Sequence, residues 1–149
     1  MWLVIDCTVL VDASGQGVSE YAESSLALLK LLLATPEFVL ALDAKRKIQR
    51  EYENRVRAPM YAHQWLDLLQ RKERVKPVER LRIPKGASVS LREARLHKKD
   101  FPLVEAALGS SKVIVTRDPS FSEPVKSILH RELDITVLDA RQAVDQLSR

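Results

Sequence analysis

Asp100-Phe101-Pro102-Leu103-Val104-Glu105-Ala106-Ala107-Leu108-Gly109, followed by Val113-Ile114-Val115-Thr116-Arg117-Asp118, carries the clearest structural signal in this chain. An aspartate opens the first run, where a side-chain oxygen can accept from the orphan N–H groups of a first helical turn. Pro102 falls in that turn, where its missing N–H costs nothing, and Gly109 lies just past the end. The spacing predicts a helix over 100–108. Lys112–Thr116 then reads as a strand. Its apolar run is continuous rather than alternating, as expected of a strand covered on both faces.

The same unit recurs on either side. Trp2–Ile5 is a short apolar strand closed by Asp6, and Leu10-Val11 reads as its continuation beyond the turn. Phe38–Leu42 and Ile135–Leu138 are further strands. Between them, Ser19 reads as the cap of a helix over 20–34, with apolar residues in helical period and Pro36 as its stop. Asp43 caps a helix through Val56, which Pro59 ends. Met60–Arg74 is helical, and Val75–Lys85, with two prolines, is a linker or short edge strand. Ser90–His97 is weakly helical; Glu123–His130 and Arg141–Leu147 are helices. Such alternation predicts an α/β fold, a three-layer α/β/α sandwich around a mostly parallel sheet.

The chain has 149 residues, 46% of them hydrophobic and 30% charged, which reads as one globular domain over 1–149. No apolar run approaches the ~18 residues of a membrane span. There is no basic region ahead of the first apolar run, so no signal peptide is read. The single cysteine, Cys7, excludes an internal disulfide and fits a reducing cytoplasm. It reads as a buried, inert thiol.

The net charge of +4 conceals an asymmetry: residues 71–99 hold eleven Lys or Arg against three Glu, so that segment is +8 and the remainder −4. Such a segment is either a solvated face or a surface for a polyanion.

Four acids stand out against the strand pattern. Asp6 and Asp118 each follow a strand, Asp100 opens a helix, and Glu51 lies in the helix after Asp43. In an open parallel sheet, ligands gather outside the carboxyl ends of the strands. Carboxylates brought there repel one another unless a cation neutralises them, and hard oxygen ligands select Mg²⁺ or Mn²⁺. Each acid also has a purely structural reading: turn for Asp6 and Asp118, N-cap for Asp100, solvated helix face for Glu51.

Three segments resemble the PIN domain, a fold shared by many small ribonucleases and named for the PilT N-terminus. They are Val4-Ile5-Asp6-Cys7-Thr8-Val9-Leu10, then Ile48-Gln49-Arg50-Glu51-Tyr52-Glu53, then the 100–118 stretch with its closing Thr-x-Asp. The last strand and helix, from Ile135, are similar to that family's end. The resemblance implies a metal-dependent endoribonuclease acting on single-stranded RNA. Asp6, Asp100, Asp118 and Glu51 would be both catalytic and metal-binding, with Mg²⁺ or Mn²⁺ as cofactor. Thr8 and Thr116 would orient carboxylates or bind phosphate. Glu105, about 140° round the helix from Asp100 at ~100° per residue, is an accessory acid. The resemblance further implies the toxin of a toxin–antitoxin pair, hence an antitoxin partner, and a homodimer. Leucine-rich helices at 20–34 and 60–70 would offer that dimer apolar surface.

Two alternatives stand beside this reading. One is a PIN-like domain that binds nucleic acid or serves as a scaffold without catalysis. The other is a haloacid-dehalogenase-type phosphatase, which needs a second Asp where this chain has Thr8. His63, His97 and His130 have no metal-ligand spacing. Tyr52 and Trp65 read as core residues more readily than as base-stacking ones.

Overall fold

The computed structural model describes residues 1–149 as five strands and eight α-helices. The strands are β1 (Trp2–Ile5), β2 (Val39–Leu42), β3 (Val75–Pro77), β4 (Val113–Val115) and β5 (Thr136–Leu138). The helices are α1 (Cys7–Ala13), α2 (Ala22–Leu33), α3 (Lys47–Arg55), α4 (Tyr61–Arg71), α5 (Lys85–Glu93), α6 (Phe101–Leu108), α7 (Glu123–Leu133) and α8 (Ala140–Leu147). The sheet is entirely parallel, in the order β3-β2-β1-β4-β5. The fold is the expected α/β class, with helices on both faces.

Strand order locates the one place where a crevice must open. From β1 the chain steps outward to β2 and β3. It then returns past β1 and steps the other way through β4 and β5. Right-handed crossovers in the two directions send their connecting helices to opposite faces. Accordingly α1, α2, α4 and α8 pack together, α5 packs on α7, and α6 lies over β1, β2 and β4. The direction reverses between β1 and β4, so the carboxyl ends of these two strands flank the switch point. α3 touches both α1 and α6, bridging the two helical layers. No helix is long and apolar enough to cross a membrane.

Several boundaries differ from the sequence reading. Leu10-Val11 belong to helix α1 rather than to a continued strand. All seven residues of α1 are buried, so its apolar pattern has no polar face to reveal a helical period. Ser19 caps nothing; it begins a 3-10 turn over Ser19–Tyr21. α4 stops at Arg71, whereas α5 begins at Lys85 and α7 runs on to Leu133. Chain reversals near these ends use positive φ at non-glycine residues: Arg46, Glu73, Arg95, Lys112 and Asp134. No glycine marks them in the sequence. Asp43 does cap α3, its two carboxylate oxygens accepting from the N–H of Lys47 (3.0 Å) and Ile48 (2.9 Å).

Gly109 is where it was expected, but for a different reason. Its φ is an ordinary −82°. A Cβ there would come within 2.8 Å of Val78 Cγ2 and 2.9 Å of Val78 Cβ, so glycine admits the close approach of the 78–79 segment. Tyr52 and Trp65 are core residues: the Tyr52 hydroxyl donates to the Ile5 carbonyl, and Trp65 Nε1 donates to the Leu29 carbonyl at 2.7 Å. The leucine-rich helices spend their leucines internally. Leu28, Leu29, Leu32, Leu66 and Leu69 are all buried, and among the large apolar side chains of these helices only Leu68 is exposed. The leucine content therefore lends no support to a homodimer.

Candidate metal centre

Asp6, Asp100 and Asp118 converge at the switch point, and one ligand atom from each lies within 4.8 Å of the others. The backbone explains each arrival. The N–H of Asp6 donates to the Val115 carbonyl (2.9 Å), which ties the end of β1 to the end of β4 before α1 begins. The N–H of Thr116 donates to the Leu138 carbonyl (2.9 Å), so the β4 ladder extends almost to Asp118. α6 is joined to β4 by a short turn and runs back against the strand direction. Its start, preceded by Asp100 in a 3-10 turn, therefore lies at the same carboxyl edge.

Hydroxyl groups hold these carboxylates in place. Asp6 Oδ2 accepts from Thr116 Oγ1 (2.7 Å) and Thr8 Oγ1 (3.2 Å). Thr116 Oγ1 in turn accepts from the Asp118 N–H (3.0 Å), so one hydroxyl links two of the acids. Ser120 links Asp118 to the third: its Oγ donates to Asp100 Oδ2 (2.8 Å) and its N–H to Asp118 Oδ1 (2.9 Å). Each of the three carboxylates thus keeps one oxygen without a protein donor. Thr8 and Thr116 are buried and committed to Asp6, which leaves neither for a phosphate.

Electrostatics reflect the crowding. Asp6 is 3% exposed, and its pKa is pushed up to about 6. Burial is the main cause; the charges of Asp100, Glu51 and Asp118 add to it, against the Thr116 hydrogen bond. Asp100 is raised too, chiefly by burial and then by Asp118 and Glu51, while Ser120 and Lys99 oppose the shift. An all-oxygen set of three carboxylates, two of them costly to ionise alone, fits a hard divalent cation. Nothing in it favours a soft metal: Cys7 is buried, with its thiol pushed up to about 12 by burial first.

Glu51 is not part of this triad. Its carboxylate pairs with Arg55 on the next turn of α3 (3.2 Å), though its charge still reaches Asp6 and Asp100. Glu105 is half-buried on α6, its carboxylate bound to no side chain, and also stands outside the triad. The basic 71–99 segment does not form one block beside the acids. Its Lys98-Lys99 end adjoins Asp100, but Arg74 is buried at the opposite edge of the sheet. There Arg74 donates to the carbonyls of Leu32, Leu33, Thr35 and Phe38. Arg71 is paired with Asp67.

Three contributors escape the sequence reading. Ser120 sits two residues past Asp118 across Pro119, a turn pattern that could have drawn attention to it. His97, three residues before Asp100, brings its exposed Nδ1 within 3.9 Å of Asp100 Oδ2. Asp12 is fully buried and grips Arg117 with two bonds, to Nε at 2.7 Å and Nη2 at 3.0 Å. Its Oδ1 also accepts from the Val18 N–H, and Gly17 leaves the room, since a Cβ there would lie 2.0 Å from that oxygen. The pair anchors the Thr116-Arg117-Asp118 turn to α1. Asp12→Ala is expected to lower stability by about 3 kcal/mol, because it strands a mostly buried guanidinium. A melting temperature within a degree of the parent would show the anchor to be dispensable.

No family model matches the chain, and no curated protein matches it.

Proposed function

We propose that this protein is a divalent-metal-dependent endoribonuclease that hydrolyses phosphodiester bonds of single-stranded RNA. The observation carrying this reading is the Asp6–Asp100–Asp118 triad at the sheet's switch point. The PIN-domain resemblance of three sequence segments supports the choice of substrate. Asp6, Asp100 and Asp118 would hold Mg²⁺ or Mn²⁺. When bound, the cation supplies charge neutralisation for a pentacoordinate phosphoryl transition state and an acidified water. Thr8, Thr116 and Ser120 keep the three carboxylates aimed inward, and the Asp12–Arg117 pair fixes the turn that presents Asp118. Thr8 stands where a haloacid-dehalogenase-type phosphatase has its acid, and its hydroxyl donates to Asp6, so that alternative is set aside.

A toxin role with an antitoxin partner rests on the same resemblance, as does a homodimer. The competing reading is a domain that binds nucleic acid without cutting it. The Glu51–Arg55 pair favours it, because it leaves three converged acids instead of four.

Metal titration is the direct test. Mn²⁺ at about a hundred times its Kd is expected to stabilise the protein by about 2.7 kcal/mol. For a chain of this size that is roughly 5–10 °C in melting temperature. Cleavage of a fluorogenic single-stranded RNA should require the same ion and stop in excess chelator. A melting curve that ignores both Mn²⁺ and Mg²⁺ would leave the triad a structural feature and remove the nuclease reading.

A further inference from the structure

Between α3 and the segment just ahead of Asp100 runs a groove of about 650 Å³ that no hydrophobic residue lines. Lys47, Arg50, Asn54 and Arg55 form its α3 wall, and Lys98 and Lys99 form the other. Its only acid is Glu51, which Arg55 neutralises. Lys47, Arg50, Lys98 and Lys99 are exposed and make no ion pair. Four cations without an ion-pair partner around one groove repel each other, an arrangement that an anionic ligand relieves.

The far side of the triad offers no equivalent. A smaller pocket of about 190 Å³ there is lined by Asp118 itself and by Asp139, together with Arg117 and Lys126. Arg117 is already bonded to Asp12, and Lys126 lies 3.6 Å from Glu123. Cations without an ion-pair partner therefore line the α3 groove and not this pocket. Lys98 and Lys99 immediately precede Asp100 in the chain and Pro102 follows it, so the groove's second wall is the segment that carries Asp100, although none of the three acids lines the groove itself.

We infer that the α3 groove is a docking track for the phosphodiester backbone of a single-stranded nucleic acid. Lys47 and Arg50 on one wall, with Lys98 and Lys99 on the other, hold phosphates upstream of the triad. The choice of ligand rests on the proposed nuclease reading, but the track itself binds without metal. It reads no bases: the groove has no aromatic residue on which a base could stack, so affinity comes from phosphate contacts and is sequence-tolerant.

Fluorescence anisotropy of a labelled twelve-residue oligouridylate, measured in EDTA so that no cleavage occurs, separates the two readings. At about 0.1 M salt each phosphate contact on a single strand is worth roughly fivefold in affinity. The Lys47→Ala/Arg50→Ala and Lys98→Ala/Lys99→Ala proteins should each bind at least about tenfold more weakly than the parent. The slope of log K against log salt should also become shallower by about 1.4. Arg71→Ala/Lys72→Ala, on the helix end away from the acids, should bind as the parent does. Melting curves check that each variant is folded; Lys98→Gln/Lys99→Gln repeats the test with a polar, uncharged side chain one atom shorter. Parental affinity in both groove variants, or an equal loss in the 71/72 control, overturns the track. Binding that follows this pattern without any cleavage in Mn²⁺ would instead remove the nuclease and leave the track standing.

Discussion

Asp118→Asn is expected to reduce RNA cleavage by on the order of 10³-fold, the scale of losing one preorganised charge-stabilising group from a catalytic site. The substitution is nearly isosteric. An asparagine can keep its Oδ1 as acceptor for the Ser120 N–H, and the backbone bond from residue 118 to Thr116 Oγ1 is untouched. What disappears is one of three negative charges facing a common point. Asp6→Asn should act in the same way, since its amide oxygen can still accept from Thr8 and Thr116. Both proteins should remain folded by circular dichroism and should lose the melting shift with Mn²⁺. Parental cleavage rates in both variants would sink the assignment.

Without metal, the same Asp6→Asn substitution is expected to stabilise the protein. The Asp6 carboxyl, ordinarily at 3.8, sits at about 6 in the folded chain. The unfolded chain therefore gives up this proton more easily than the folded one. Asp6's contribution to stability is fully present below pH 3.8 and is lost as the pH rises through about 6. Asp100, raised in the same direction, adds to the trend. A shift of about two units corresponds to about 3 kcal/mol. Some of that is given back because an amide is itself costly to bury, so a gain of about 2 kcal/mol, or roughly 4–8 °C, is expected in EDTA at pH 7.5. The advantage should shrink as the pH falls toward 4, where the parent carboxyl is itself protonated. A variant that melts several degrees lower than the parent at pH 7.5 would identify Asp6 as a structural cap. Divalent metal should reverse the order, because it stabilises the ionised parent and not the variant.

Much of this architecture is legible without coordinates. A continuously apolar strand followed by an acid, repeated at Ile5-Asp6 and Val115–Asp118, is a local signal that places a carboxylate at the carboxyl edge of a parallel sheet. Pro102 and Gly109 bracket α6 correctly, although Gly109 is there to let Val78 approach. The element boundaries are less legible, because Arg46, Glu73, Arg95, Lys112 and Asp134 adopt positive φ without being glycine. Helix α1 is illegible for another reason: a helix buried on every side has no amphipathic period.

Sequence by itself therefore determined the α/β class, the sheet-edge position of Asp6 and Asp118, and the start of the helix that delivers Asp100. Those features depend on residues a few positions apart, where backbone geometry leaves little freedom. Only the tertiary structure decided which acids meet. Glu51 and Asp100 are both candidate ligands carried by helical segments, yet Asp100 joins the triad while Glu51 turns to Arg55. The same holds for the cations: of one basic segment, Arg74 is buried among carbonyls and Lys98-Lys99 face the groove beside α3. Arg55 is a near neighbour of Glu51, but the partners of Asp100 and Arg74 lie twenty to forty-two residues away in the chain, and no local pattern encodes a distance between them.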